Sequence, residues 1–175
     1  NNGIEDLFVA NFFSYKEPLL KESVVSFYSN FGTSTDPSLN FIESDFLNLS
    51  TFSLGLKTVP AFGDLDSDGD KDLILGLENG SLIYYENVTI PGGSLNFASP
   101  IYNYRDNLDN LISAQNYAFP QLFDLNGDNL LDLIIGKKTG EILYYENIGT
   151  ANIPSFELKN DLLGNIDVSP NSPIG

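Results

Sequence analysis

The sequence contains no cysteine and no histidine. Without cysteine, neither disulfides nor thiolate metal sites can form. Without histidine, the chain lacks the commonest general base and the usual zinc ligand. Basic residues are scarce: 8 lysines and arginines stand against 24 aspartates and glutamates, a formal charge of −16. That balance argues against nucleic acid, whose phosphates call for basic patches. It also disfavours an anionic membrane surface. No apolar run approaches the roughly 18 residues of a spanning helix, so no membrane insertion is expected. Asn1-Asn2-Gly3 have neither the charge nor the apolar stretch of a signal peptide. The chain does have material for a core. Of its 175 residues 42% are hydrophobic, too many for a disordered acidic tail.

The dominant stretch is Asp64-Leu65-Asp66-Ser67-Asp68-Gly69-Asp70-Lys71-Asp72, followed by Leu73-Ile74-Leu75-Gly76. Five aspartates alternate through nine residues, so neither a buried strand nor a stable helix is expected there. Two like charges about 4 Å apart cost roughly 1 kcal/mol in water and about 4 at an effective dielectric near 20. A hard cation with many oxygen ligands would neutralise the cluster, and Ca²⁺ takes about 6–8 oxygens. The pattern returns 60 residues later as Asp124-Leu125-Asn126-Gly127-Asp128-Asn129-Leu130-Leu131-Asp132, before Leu133-Ile134-Ile135-Gly136.

More than the loop recurs. Val59-Pro60-Ala61-Phe62 and Phe119-Pro120-Gln121-Leu122 precede the two acidic stretches. Glu78-Asn79-Gly80 and Lys138-Thr139-Gly140 read as hairpin turns, with Asn-Gly suited to a type I′ turn. Leu82-Ile83-Tyr84-Tyr85-Glu86-Asn87 matches Ile142-Leu143-Tyr144-Tyr145-Glu146-Asn147, and a last short strand is centred on Phe97 and on Phe156. Asp6-Leu7-Phe8-Val9-Ala10 and Val25 to Asn30 form a partial earlier copy, with a longer hairpin at 11–23. Ser172-Pro173-Ile174-Gly175 matches the segment before each acidic loop. The chain is therefore expected to be a piece of a longer repeat protein.

Four short strands per unit of about 60 residues suggest β-propeller blades, since such units cannot bury both faces alone. Leu73-Ile74-Leu75 and Leu133-Ile134-Ile135 are continuously apolar, so both of their faces should be buried. The expected class is all-β, with blades of four antiparallel strands. Residues 1–55 would be a partial blade and linker, 56–115 and 116–167 complete blades, and 168–175 the first strand of a following one.

Within each loop, alternate positions converge if the backbone curls around an ion. Asp64, Asp66 and Asp68 would supply carboxylates, Asp70 its carbonyl, and Asp72 would close the shell. The second loop offers Asp124, Asn126, Asp128, the carbonyl of Leu130, and Asp132. Gly69 permits a sharp turn, and Asn129 replaces it as the non-glycine residue that best tolerates a left-handed conformation. Side-chain ligands carry −4 in the first loop and −3 in the second, so tighter Ca²⁺ binding is expected at the first. An EF-hand is a poor match, because its position twelve needs a bidentate Glu and here holds Leu75 or Ile135.

The Asp-x-Asp-x-Asp-Gly-x-x-Asp-Leu pattern, the trailing glycine and the Tyr-Tyr-Glu-Asn strand together resemble FG-GAP/VCBS-type repeats of calcium-binding β-propellers. Integrin α-subunit propellers belong to that family, and bacterial surface and secreted proteins are the nearer likeness. The resemblance covers nearly the whole chain. It implies Ca²⁺ in the loop between the first and second strands of a blade, held by the two residue sets just named. At the N-terminus only Asn2, Ile4 (carbonyl) and Asp6 would contribute to a third, incomplete site.

Tyr84-Tyr85 and Tyr144-Tyr145 are read as blade packing rather than sugar-stacking platforms. Asn48-Leu49-Ser50 and Asn87-Val88-Thr89 are sequons, meaningful only in a glycosylating pathway. Arg105, the single arginine, could pair with Asp106 or Asp109. The expected function is a noncatalytic, calcium-stabilised propeller segment of a secreted or cell-surface protein, with Ca²⁺ structural. Its partners would be a protein or glycan ligand and the rest of its own propeller. The alternative is an accessory propeller of a larger polysaccharide-acting enzyme.

Overall fold

A computed structural model describes residues 4–11, 14–16, 20–52, 55, 57–91 and 93–166. Residues 168–175, expected as the first strand of a further blade, and Asn2 lie outside the described residues. The described chain is all-β and antiparallel, with short 3-10 turns and no α-helix. Among the described residues, no helix is long and apolar enough to cross a membrane. The chain divides into two compact units, Asn1–Thr58 with Thr89–Asn96, and Val59–Val88 with Phe97–Gly175.

In the first unit, strands β1 (Leu7–Ala10), β4 (Val25–Asn30) and β5 (Leu39–Glu43) form a sheet in the order β1-β4-β5. The long hairpin expected at 11–23 carries a two-stranded ribbon, β2 (Ser14–Lys16) paired with β3 (Leu20–Glu22). Strand alternation puts Phe8 and Phe27 on one face, where their rings stack at 4.8 Å. Phe46 meets Phe8 edge-on at 4.9 Å, and Val25 and Leu49 are buried. Leu7 and Val9 point the other way and are 41% and 44% exposed.

The second unit holds two four-stranded sheets. The first runs β6 (Val59–Gly63), β7 (Asp72–Gly76), β8 (Leu82–Tyr85) and β9 (Ile101–Tyr102). The other runs β10 (Phe119–Phe123), β11 (Asp132–Gly136), β12 (Ile142–Asn147) and β13 (Phe156–Asn160). Their registers match position for position: Phe62 opposes Leu73, which opposes Tyr85, as Leu122 opposes Leu133 and Leu133 opposes Tyr145. Pro60 and Pro120 sit in β6 and β10, the edge strands, where a missing N–H is tolerated.

Between the sheets lies one apolar core. Leu65, Ile74, Leu82 and Tyr84 come from the first sheet and its loop, and Leu133, Ile135, Tyr145 and Phe156 from the second. Ile112, Ala114 and Ala118 of the connecting segment fill the gap. Each fully buried Leu, Ile or Phe is worth about 1.5–3 kcal/mol. Packing is tight at Gly76, where a Cβ would fall 2.2 Å from the Ala118 carbonyl oxygen. Strand β7 is buried throughout, as its continuous apolar run implies. Strand β11 differs: Leu133 and Ile135 face the core, whereas Ile134, on the opposite face, is half-buried.

Two local expectations change. The hairpin turns are not type I′. Gly80 and Gly140 have φ of 86° and 99°, but Asn79 and Thr139 stay at negative φ. Gly80 N–H donates to the Leu77 carbonyl and Leu77 N–H to that of Ser81, a type I turn closed by a left-handed glycine. Thr139 shows why, since a β-branched residue is strained at positive φ. The fourth strand of the first sheet is also displaced. Phe97 makes only an isolated bridge to Asn87, and the strand resumes at Ile101–Tyr102. Pro100 precedes it and has no N–H for the ladder.

Candidate metal centre

Both acidic loops link the first and second strands of their sheets, β6 to β7 and β10 to β11. Each is wound by its own side chains. Asp64 Oδ2 accepts the Gly69 N–H at 3.1 Å, and Asp124 Oδ2 accepts that of Asn129 at 2.9 Å. Asp68 and Asp128 Oδ1 accept the N–H groups of Asp70 and Leu130, each at 2.8 Å. The curl places two loop positions at positive φ, the fourth and the sixth. These are Ser67 (59°) and Gly69 (95°) in one loop, Gly127 (80°) and Asn129 (71°) in the other. The sixth was expected. The fourth was missed because serine occupies it in the first loop, and only the Gly127 of the second carries the signal.

Winding brings the alternate acids together. The carboxylate oxygens of Asp64, Asp66 and Asp68 lie within 4.8 Å of one another. Asp64 Oδ1 is buried and has no hydrogen-bond partner among the described residues. A buried acceptor left without a partner costs about 1–3 kcal/mol, more when charged. Burial pushes the Asp66 carboxyl above the usual range, and the charges of Asp68, Asp64 and Glu86 push the same way, against a bond from the Asp68 N–H. A divalent cation would supply the missing partner and cancel the repulsion. The donor set fits a hard ion.

Asp72, expected to close the shell, lies near enough to Asp66 and Asp68 for their charges to act on it, and Asp132 holds the same place in the second loop. Both are fully buried at the start of β7 and β11, and their oxygens serve the backbone. Asp72 Oδ2 accepts the Leu65 N–H at 3.0 Å and Oδ1 the Asn87 N–H at 2.8 Å. Asp132 repeats this with Leu125 at 3.0 Å and Asn147 at 2.9 Å. The asparagines answer: Asn87 Nδ2 donates to the Lys71 carbonyl and Asn147 Nδ2 to that of Leu131. In the first unit Asp6 Oδ1 accepts the Asn30 N–H at 2.7 Å and Asn30 Nδ2 donates to the Glu5 carbonyl, the same clip. Burial raises Asp72 to about 6, against the pull of its two N–H donors. Sequence reasoning missed the asparagine half of this clip, although Asn30, Asn87 and Asn147 each end a recurring strand segment.

The second loop is more fully satisfied from within. Asp124 Oδ1 accepts the Gly127 and Asp128 N–H groups at 2.7 and 3.2 Å. Asn126 Nδ2 donates to Asp128 Oδ2 at 2.9 Å and to Glu146 Oε1 at 3.1 Å. Glu146 is ion-paired with Lys159 at 3.2 Å. Tyr144 donates its hydroxyl to Asp132 Oδ2 at 3.1 Å. Burial, and then that bond, push the phenol up to about 12. Tyr84, Tyr85 and Tyr145 are buried. Of the sequons, Asn87 is buried with its amide engaged, and Asn48 is exposed. Arg105 pairs with Asp109 at 3.7 Å on the surface.

Compared with known proteins, the chain matches no family model, no curated protein and no solved structure.

Proposed function

We propose that the chain is a run of four-stranded β-propeller blades whose acidic loops bind Ca²⁺ as a structural ion. It would act without catalysis in a secreted or cell-surface bacterial protein, in adhesion, ligand binding or display. The observation that carries the metal reading is Asp64 Oδ1, a buried carboxylate oxygen with no partner beside the carboxylates of Asp66 and Asp68. Calcium is favoured over magnesium because irregular shells of about 6–8 carboxylate and carbonyl oxygens suit it, whereas Mg²⁺ demands a near-ideal octahedron. The blade reading is supported by two sheets of identical strand order packed around one core. Extracellular calcium modules bind at about 10⁻⁴–10⁻³ M, which suits a protein that folds after export.

Thermal unfolding with EDTA, with Ca²⁺ and with Mg²⁺ tests this. At Ca²⁺ about 100 times its Kd, one site adds about 2.7 kcal/mol. At about 2–4 °C per kcal/mol for a chain of this size, the midpoint should rise by roughly 5–10 °C per occupied site. Magnesium should give less. An unchanged midpoint in Ca²⁺ would remove the metal reading.

A further inference from the structure

The first acidic loop lies on the seam between the two sheets of the second unit. Three contacts place it there. Asn152, in the turn between β12 and β13, donates its Nδ2 to the Asp66 carbonyl at 2.9 Å, across 86 residues. Leu65, between the loop's first two acids, is 2% exposed within the core shared with Leu133, Ile135 and Phe156. At Gly63, just before the loop, an added Cβ would fall 2.7 Å from Leu131 and 2.8 Å from Leu122. Alternate loop residues thus look two ways, the acids towards one another and Leu65 towards the neighbouring sheet.

The turn that carries Asn152 is built to hold it. Thr150 and Ile153 exchange N–H···O=C bonds at 3.0 and 3.2 Å. Ahead of them, Asn147 Oδ1 accepts the Gly149 and Ser155 N–H groups at 3.1 and 3.0 Å. A Cβ on Gly149 would meet the Ile153 carbonyl at 2.2 Å, so glycine is required for the turn to close. The Asn152 amide thus ties a fixed turn of the second sheet to the backbone of a loop whose carboxylates gather.

We propose that Asn152 is a positioning residue that couples cation binding at Asp64, Asp66 and Asp68 to the docking of the adjacent sheet. The inference rests on the metal reading above. Coupling is reciprocal. An occupied loop presents the Asp66 carbonyl in place for Asn152, and a docked β10–β13 sheet holds Asp66 in place for the ion. The cation is then a clasp between neighbouring sheets as well as a clip within one.

The test uses the whole chain in an Asp124→Asn, Asp128→Asn background, which lowers the charge of the second loop while keeping an acceptor oxygen at both positions. Calorimetry with Ca²⁺ measures binding, and amide hydrogen exchange with and without Ca²⁺ measures docking. Calcium is expected to slow exchange at 148–156 more than at 25–43 in the first unit. Asn152→Ala is expected to weaken Ca²⁺ binding about two- to tenfold, the worth of one hydrogen bond, although it removes no ligand. Asn152→Gln, which keeps the amide donor, should recover part of the loss. Binding heat without selective protection at 148–156, or unchanged Ca²⁺ affinity in Asn152→Ala, overturns the coupling and leaves the metal reading standing. Absence of binding heat overturns both.

Discussion

The two acidic loops share a backbone and differ in what completes them. Loop 64–72 gathers carboxylates and leaves Asp64 Oδ1 buried without a partner. Loop 124–132 has an amide at its third position, and that amide bonds Asp128 and Glu146. Glu146 is held in turn by Lys159. One loop is short of positive charge and the other supplies donors from its own chain. The lesson is that one backbone trace supports two degrees of internal satisfaction, separated by a single Asp-to-Asn difference with a lysine on the neighbouring strand.

What the loops have in common should show the largest effect. Asp72→Ala leaves two buried N–H groups without acceptors, and Asp132→Ala one buried and one part-buried, at about 1–3 kcal/mol for each buried one. Urea unfolding in EDTA should therefore show losses of roughly 2–6 kcal/mol for Asp72→Ala and roughly 1–3 kcal/mol for Asp132→Ala. A loss at only one would break the equivalence of the two clips.

The next test moves one loop towards the other. Asn126→Asp gives the second loop the charge of the first and removes the amide donors to Asp128 and Glu146. Calorimetry should show Ca²⁺ binding there tightened by about five- to tenfold, from roughly 1 kcal/mol of added attraction in a solvated site. The metal-free chain should become less stable. Unchanged affinity would mean that charge count does not distinguish the loops.

Much of this was legible in the sequence. The strands, the paired loops and the hairpin positions follow from alternation, aspartate spacing and glycine. The division of labour within the loop was not. Asp64 and Asp72 look alike in sequence, yet Asp72 begins a buried strand and serves two N–H groups. Asn87, fifteen residues on, supplies one of those N–H groups and bonds the Lys71 carbonyl beside it. Asn152 was equally invisible, because its partner lies 86 residues away and no local pattern marks the bond.

Two smaller effects sharpen the contrast. Tyr144→Phe removes the hydroxyl bond to Asp132, worth about 0.5–1.5 kcal/mol, and urea midpoints should shift accordingly. A pH dependence belongs to the first loop. Folded Asp72 ionises near 6, above the ordinary carboxylate value, because it is buried. Between about 4 and about 6 the folded chain therefore holds a proton that the unfolded chain has released. Its contribution to stability is present below that window and is lost as pH rises through it. In EDTA, wild type should lose stability over this window relative to Asp72→Asn, which cannot titrate. Parallel curves for the two would show that the carboxyl is not raised.

Short-range physics set the strands and turns. β-branched and aromatic runs make strands, glycine closes the hairpins, and alternating acids cannot be buried unaided, so each forms a loop. All of that acts within a few residues and is written in order along the chain. Tertiary structure alone decided which acids gather, which hold the backbone, and which residues lie at the seam. Those outcomes depend on burial, and burial is set by what a distant segment places opposite. Leu7 and Val9 lie exposed in one sheet, whereas Leu73 and Leu75, at matching places in another, are buried.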